Sequence, residues 1–177
     1  MATYNSFLEA LASGGRSNEI PPADDVYGWL IGGWELDLIV HDDQGGIHES
    51  KGEAHFSWVH EGRAVQDVFI NPRRTERSPA PPKIGSNWYG STFRVYDPSI
   101  KAWRVTWFNP VTTTGAELIG RWHGKDIVQE GTYSDGASIC WTFTDIGTDS
   151  FLWRGERQET DGSTWRLQVE FRGRRLK

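Results

Sequence analysis

The amino-acid sequence predicts an all-β chain closed into an up-and-down antiparallel barrel of about ten strands, and three observations lead there. Between residues 34 and 172, short runs rich in Val, Ile, Thr, Tyr, Phe and Trp are separated by Gly-containing turn signals, and almost nothing has the spacing of an amphipathic helix. The last run alternates strictly, with Trp165, Leu167, Val169 and Phe171 on one side and Arg166, Gln168, Glu170 and Arg172 on the other. The connectors are hairpin-like, as in Glu61-Gly62, Asp135-Gly136 and Asp161-Gly162, and a sheet made of consecutive hairpins hides its edges best by closing on itself.

In chain order, residues 6–12 form one or two helical turns, with Asn5 or Ser6 as N-cap and Gly14-Gly15 as the stop. A helix this short does not stand alone and is expected to lie over a barrel end. Pro21-Pro22 ends any helix, and residues 24–31, with Tyr27, Trp29 and Leu30, make a short turn of helix leading into the sheet. Gly32-Gly33 frees the backbone before the first strand, 34–41, whose leading Trp34 plugs one end. The cluster 42–46 turns the chain into a second strand, 47–59. Glu61-Gly62 then turns it into a third, with Trp58 facing Val65 and Phe56 facing Asp67.

Residues 71–87 contain four prolines and no periodicity, and a loop of that length is expected to act as a lid over the barrel. Strands follow at 88–96, 103–108, 113–122, 127–134, 138–146, 151–158 and 165–172. Strand parity puts Phe151, Trp153 and Gly155 inside, with Ile139, Trp141 and Phe143, Trp103, Val105 and Trp107, and Gln129 and Tyr133. Glu156 and Arg166 are expected to pair across the outer surface. A slip of one residue in any strand exchanges its inner and outer sets.

At 177 residues the chain is read as one domain: a cap and lead-in over 1–31, a barrel over 32–175, and the lid-like loop 71–87. A net charge of -5 gives no footprint for nucleic acid or an anionic membrane, and Arg172, Arg174, Arg175 and Lys177 make only a short basic tail. Cys140 is the only cysteine, which excludes an intrachain disulfide and a thiolate metal cluster. With no basic segment before an apolar core near Met1 and no run of membrane-spanning length, a cytoplasmic protein is expected. Ten Trp, five Tyr and eight Phe mean either a filled interior or a cavity with flat walls.

Gly32-x-Trp34 at the start of the first strand, after a short turn segment, resembles the Gly-x-Trp signature of lipocalins and other calycins. The length, the hairpin series and a basic residue on the last strand extend the resemblance, Arg172 being placed to stack on Trp34 as the family's closing Arg or Lys does. The strand count is more similar to the fatty-acid-binding and nitrobindin-like members than to the lipocalins. The resemblance implies a barrel with a cavity for a small, mostly apolar ligand, without naming it. Two departures matter. Lipocalins are usually secreted and disulfide-bonded, unlike this chain. Nitrobindin-like proteins hold haem through a His in the C-terminal part of the barrel, whereas the last His here is His123, in a turn, so no haem and no other cofactor is expected.

Asp67 is the first candidate for chemistry. Between Val65 and Phe69 on the inner face, a carboxylate among aromatic walls is the kind of group that serves as a general acid or base; the alternative is an ion pair with Arg94 or Arg63. Gln129 and Tyr133 would orient a carbonyl or phenol, or satisfy neighbouring groups. Arg94 would grip a carboxylate or phenolate, or lie outside. Trp58, Val65, Phe69, Trp103, Trp107 and Trp141, with Phe143 and Trp153, are the candidate ligand-binding walls. His41, His48, His55, His60 and His123 are scattered without metal-site spacing, so no metal is expected. There is no Gly-x-Ser-x-Gly elbow, phosphate-cradling loop or dinucleotide fingerprint.

Three functions fit: reversible binding of a small hydrophobic or aromatic molecule; a cofactor-independent cyclase, isomerase or lyase using Asp67 with Gln129, Tyr133 or Arg94; and a filled barrel serving as an interaction module. A homodimer is left open.

Overall fold

The computed structural model describes residues 2–78 and 87–177, with the backbone alone for 2–5. A helix, α1 (Ala2–Leu11), precedes ten antiparallel strands: β1 (Gly32–His41), β2 (Ile47–Val59), β3 (Ala64–Asn71), β4 (Trp88–Asp97), β5 (Ala102–Asn109), β6 (Thr114–His123), β7 (Asp126–Tyr133), β8 (Ser138–Thr144), β9 (Ser150–Gln158) and β10 (Trp165–Arg175). Each pairs with its neighbours in sequence, and β1 pairs with β10 to close the ring. The all-β barrel class read from the sequence is the observed one.

Phe56 lies opposite Asp67 and Trp58 opposite Val65. Their turn is four residues long rather than two, with positive φ at His60, Glu61 and Gly62. Gly62 is required there: a Cβ would sit 2.2 Å from the Gly15 carbonyl oxygen, where the N-terminal segment crosses the turn.

The lead-in, not α1, closes the barrel. Ile20, Val26, Tyr27 and Leu30 are buried in the core, whereas Phe7 and Leu8 of α1 are exposed. α1 is tethered instead beside the β2–β3 turn, where the His60 N–H donates to the Leu11 carbonyl at 3.0 Å. Trp34 stands at the closed end, wholly buried, its indole N–H donating to the Leu30 carbonyl at 2.7 Å. The cation over its ring is Arg175, 4.2 Å from the centroid, and not Arg172, which lies opposite Asp37. Arg175 also donates to the carbonyls of Ile31 and Trp29, tying the last strand to the lead-in.

β10 departs from strict alternation. Its pairing with β9 shifts between Leu167 and Val169, so that Leu167 lies opposite Glu156 and Val169 opposite Gly155. The bulge at Gln168 leaves Val169 and Phe171 facing inward and transfers Trp165 and Leu167 to the parity of the outer residues, with Trp165 exposed. The expected Glu156–Arg166 pair is absent for the same reason: Arg166 meets Glu159 at 2.5 Å and Asp43 at 2.7 Å.

Candidate functional site

The interior divides along the barrel axis. At the closed end Tyr27, Leu30, Trp34 and Trp103 are fully buried against one another, Tyr27 and Trp103 meeting edge to face at 5.2 Å. Toward the other end, where the β1–β2, β3–β4, β5–β6, β7–β8 and β9–β10 connections lie, the interior is open. A cavity there has about 100 Å³ available to the centre of a water molecule, and about 680 Å³ of empty space when its mouth is counted.

Aromatic rings make the walls of this cavity. Trp153 stacks on Phe171 at 4.7 Å and 13°, Phe69 lies 5.3 Å from Phe171 and 5.6 Å from Trp88, and Trp141 meets Trp153 at 5.5 Å and Trp107 at 5.9 Å. Gly155 makes room for them, since a Cβ there would lie 2.6 Å from the Trp153 ring. Phe143 and Phe151 sit where cavity meets plug, 5.5 Å apart.

Polar groups enter from β3 and β4. Asp67, opposite Thr92, accepts the Thr92 N–H at 3.0 Å on Oδ1 and the Arg94 Nη1–H at 2.7 Å on Oδ2. Both side chains of this ion pair are about 95% buried, at 4% and 5% exposure, and the Arg94 guanidinium also lies over the rings of Tyr27 and Phe56 at 5.1 and 5.5 Å. A buried pair of this kind neutralises itself, and removing one partner alone is strongly destabilising.

The mouth is polar. His41, Asp42, Asp135, Arg157 and Gln168 ring a vestibule that shares Trp88, Trp107, Tyr133 and Val169 with the cavity. The β10 bulge aims Gln168 here, where its side-chain oxygen accepts from the Tyr133 hydroxyl at 3.3 Å. Arg157 lies over the Tyr133 ring at 5.8 Å and pairs with Asp135 at 3.0 Å. Burial raises the Tyr133 phenol pKa, while the nearby Trp141 N–H and the Arg157 charge pull it back, so the phenol stays protonated near neutral pH.

Of the residues expected at a site, the structure brings Asp67, Arg94, Tyr133, Phe69, Trp107, Trp141, Phe143 and Trp153 onto one cavity. Trp58, Val65 and Trp103 are inward but belong to the packed end, off the lining of the cavity. Gln129 is also behind the lining: it is fully buried and accepts the Tyr27 hydroxyl at 3.0 Å. Gly120 leaves room for that hydroxyl, since a Cβ there would lie 2.1 Å from it. The lining residues that sequence reasoning did not place at a site include Phe56, Trp88, Thr92, Phe151 and Phe171; apart from the bulged strand, strand parity was the signal for all of them. Of the loop 71–87, residues 79–86 fall outside the described residues, so the expected lid is seen only at its base. There Arg77 donates to the carbonyls of Asn71 and Trp88 and to the Asn87 side chain.

Among the described residues no group of three or more His, Cys, Asp or Glu is placed to hold a metal ion, and no helix is long and apolar enough to cross a membrane. Cys140 lies on the outward parity between Glu130 and Glu156, and burial raises its thiol pKa, the opposite of what a reactive thiolate needs.

No family model matches the chain, and no curated protein matches it. Solved structures do. Rv2717c from M. tuberculosis is similar at 14% identity over 89% of this chain and 99% of that one, with a TM-score of 0.56. EF1p2_mFAP2b, solved bound to DFHBI, is 13% identical over 87% and 99% of the two chains at a TM-score of 0.39, and a de novo designed fluorescence-activating β-barrel is 16% identical over 86% and 98% at 0.32. The likeness to Rv2717c is one of fold, and the fold this chain shares with it is the closed antiparallel β-barrel.

Proposed function

We propose that this chain is a calycin-like binding protein that reversibly holds a small hydrophobic or aromatic molecule in the open half of its barrel. The observation that carries the reading is the aromatic-walled cavity itself, open at one end, closed by the lead-in at the other, and polar in only a few places. A two-ring ligand that loses about 300 Å² of apolar surface gains roughly 7 kcal/mol at about 25 cal/mol per Å². After ordering costs this corresponds to dissociation constants in the micromolar range or above.

The second reading is a cofactor-independent cyclase, isomerase or lyase, and the observation favouring it is that Asp67, Arg94 and Tyr133 line one cavity. Against it, both Asp67 oxygens are already engaged, by the Thr92 N–H and by Arg94, which suits an anchor better than a base. Native mass spectrometry of the protein purified from its own host, followed by extraction of whatever co-purifies, separates the two. A bound aromatic compound that returns unchanged after incubation supports the binder. Conversion that Asp67→Asn abolishes supports the enzyme. A protein that carries nothing and binds none of a panel of aromatic compounds contradicts both and leaves an interaction module.

A further inference from the structure

Two buried hydrogen-bond donors on the cavity lining have no acceptor among the described residues. Trp141 and Arg94 are 6% and 4% exposed, and neither Trp141 Nε1 nor Arg94 Nε has a hydrogen-bond partner among the described residues. Gln129 Nε2, opposite Trp141 across the β7–β8 ladder, is also without a partner among the described residues. Buried donors in native proteins are nearly always paired, and the two fully buried indoles are: Trp34 donates to the Leu30 carbonyl, and Trp103 to the Asp24 carbonyl. Trp141 differs in belonging to the cavity lining. Its N–H lies beside the Tyr133 hydroxyl without the geometry of a hydrogen bond.

Charge decides which acceptor belongs there. Asp67 and Arg94 are the only ionic side chains among the lining residues described, and each neutralises the other. A carboxylate entering the well would be a second anion beside Asp67, desolvated among aromatic rings, which is strongly unfavourable. A neutral oxygen satisfies the donors without that penalty.

We infer that the ligand of this cavity is a neutral, planar aromatic compound bearing a carbonyl oxygen that accepts from Trp141 Nε1, and that the Asp67–Arg94 pair rejects aromatic acids of the same shape. The inference rests on the binding function proposed above and specifies its ligand class.

The test is calorimetric titration with three matched probes, acetylnaphthalene, ethylnaphthalene and naphthoate, each substituted at the β position. On the wild-type protein the ketone binds about tenfold tighter than the hydrocarbon, the return expected of one buried hydrogen bond, and naphthoate binds weakest. Trp141→Phe brings ketone and hydrocarbon to within about threefold of each other, because the smaller ring acts on both alike while the N–H that tells them apart is lost. Asp67→Asn, which leaves the Arg94 charge unbalanced, makes naphthoate the tightest of the three. Equal affinities for ketone and hydrocarbon, or naphthoate as the best wild-type ligand, or a ketone preference that survives Trp141→Phe, overturns the ligand class and leaves the binding function standing. If none of the three binds folded wild-type protein, the binding function falls with it.

Discussion

The two ends of this barrel are built from the same residue type and do different things with it. At the closed end Trp29, Trp34 and Trp103 each give their indole N–H to a lead-in carbonyl, those of Val26, Leu30 and Asp24. At the open end Trp141 is nearly as buried as the plug residues, yet its N–H has no partner among the described residues. For Trp34 and Trp103 the chain supplies both the apolar contacts and the acceptor; for Trp141 it supplies only the first.

Substitutions at the two ends sharpen the contrast. Trp34→Phe leaves the Leu30 carbonyl without its donor and removes volume under Arg175, so chemical denaturation is expected to show a loss of about 2–4 kcal/mol. Gly120→Ala drives a methyl group into the Tyr27 hydroxyl and disrupts its bond to Gln129; overpacking of this kind costs about 1–3 kcal/mol, again read by denaturation. Trp141→Phe loses no protein–protein hydrogen bond and is expected to cost less than about 1 kcal/mol, despite the same chemical change as at Trp34. Equal losses for the two Trp→Phe variants would break the comparison.

The smallest effect lies outside the barrel wall, at the base of the β3–β4 loop. Hydrogen bonds from Arg74, with help from His55, hold the Glu53 carboxyl down to about 2 against an ordinary 4.5. A depressed carboxylate stabilises the fold fully above its unfolded pKa, and that contribution disappears as pH falls from about 4.5 through 2. Thermal melts should therefore fall less steeply with acid for Glu53→Gln than for wild type: the two proteins differ most at neutral pH, by a modest amount because Arg74 is exposed to solvent, and converge as pH approaches 2.

Much of this architecture is legible in the sequence. Alternation and turn chemistry give the strands and the hairpin order, and the Phe56–Asp67 register follows from the Glu61-Gly62 turn even though that turn is longer than expected. The bulge at Gln168 is hidden because Trp165 and Leu167, though on the outer parity, are apolar and continue the alternating pattern across the shift. That hidden residue also misplaces the closing cation: Arg172, Arg174 and Arg175 are equally basic, and the register of the bulged strand, together with its extension to Arg175, selects among them. Parity finds the inward set of most strands but gives no measure of depth. Trp58 and Trp103 are inward and packed, whereas Trp107 and Trp153 are inward and line open space; how far the lead-in, with Tyr27 and Leu30, reaches into the barrel decides which. The orphaned Trp141 N–H has no sequence signature at all, since it is defined by an acceptor that the fold does not place.

The division between plug and wall tryptophans is tested most directly by following the indole N–H resonances in a proton–nitrogen correlation spectrum, assigned by single Trp→Phe variants, while acetylnaphthalene is titrated into the wild-type protein. The resonances of Trp141, Trp107 and Trp153 are expected to move with ligand while those of Trp34 and Trp103 stay in place. Plug indoles that shift as far as the cavity indoles, or a spectrum that does not change, would contradict that division.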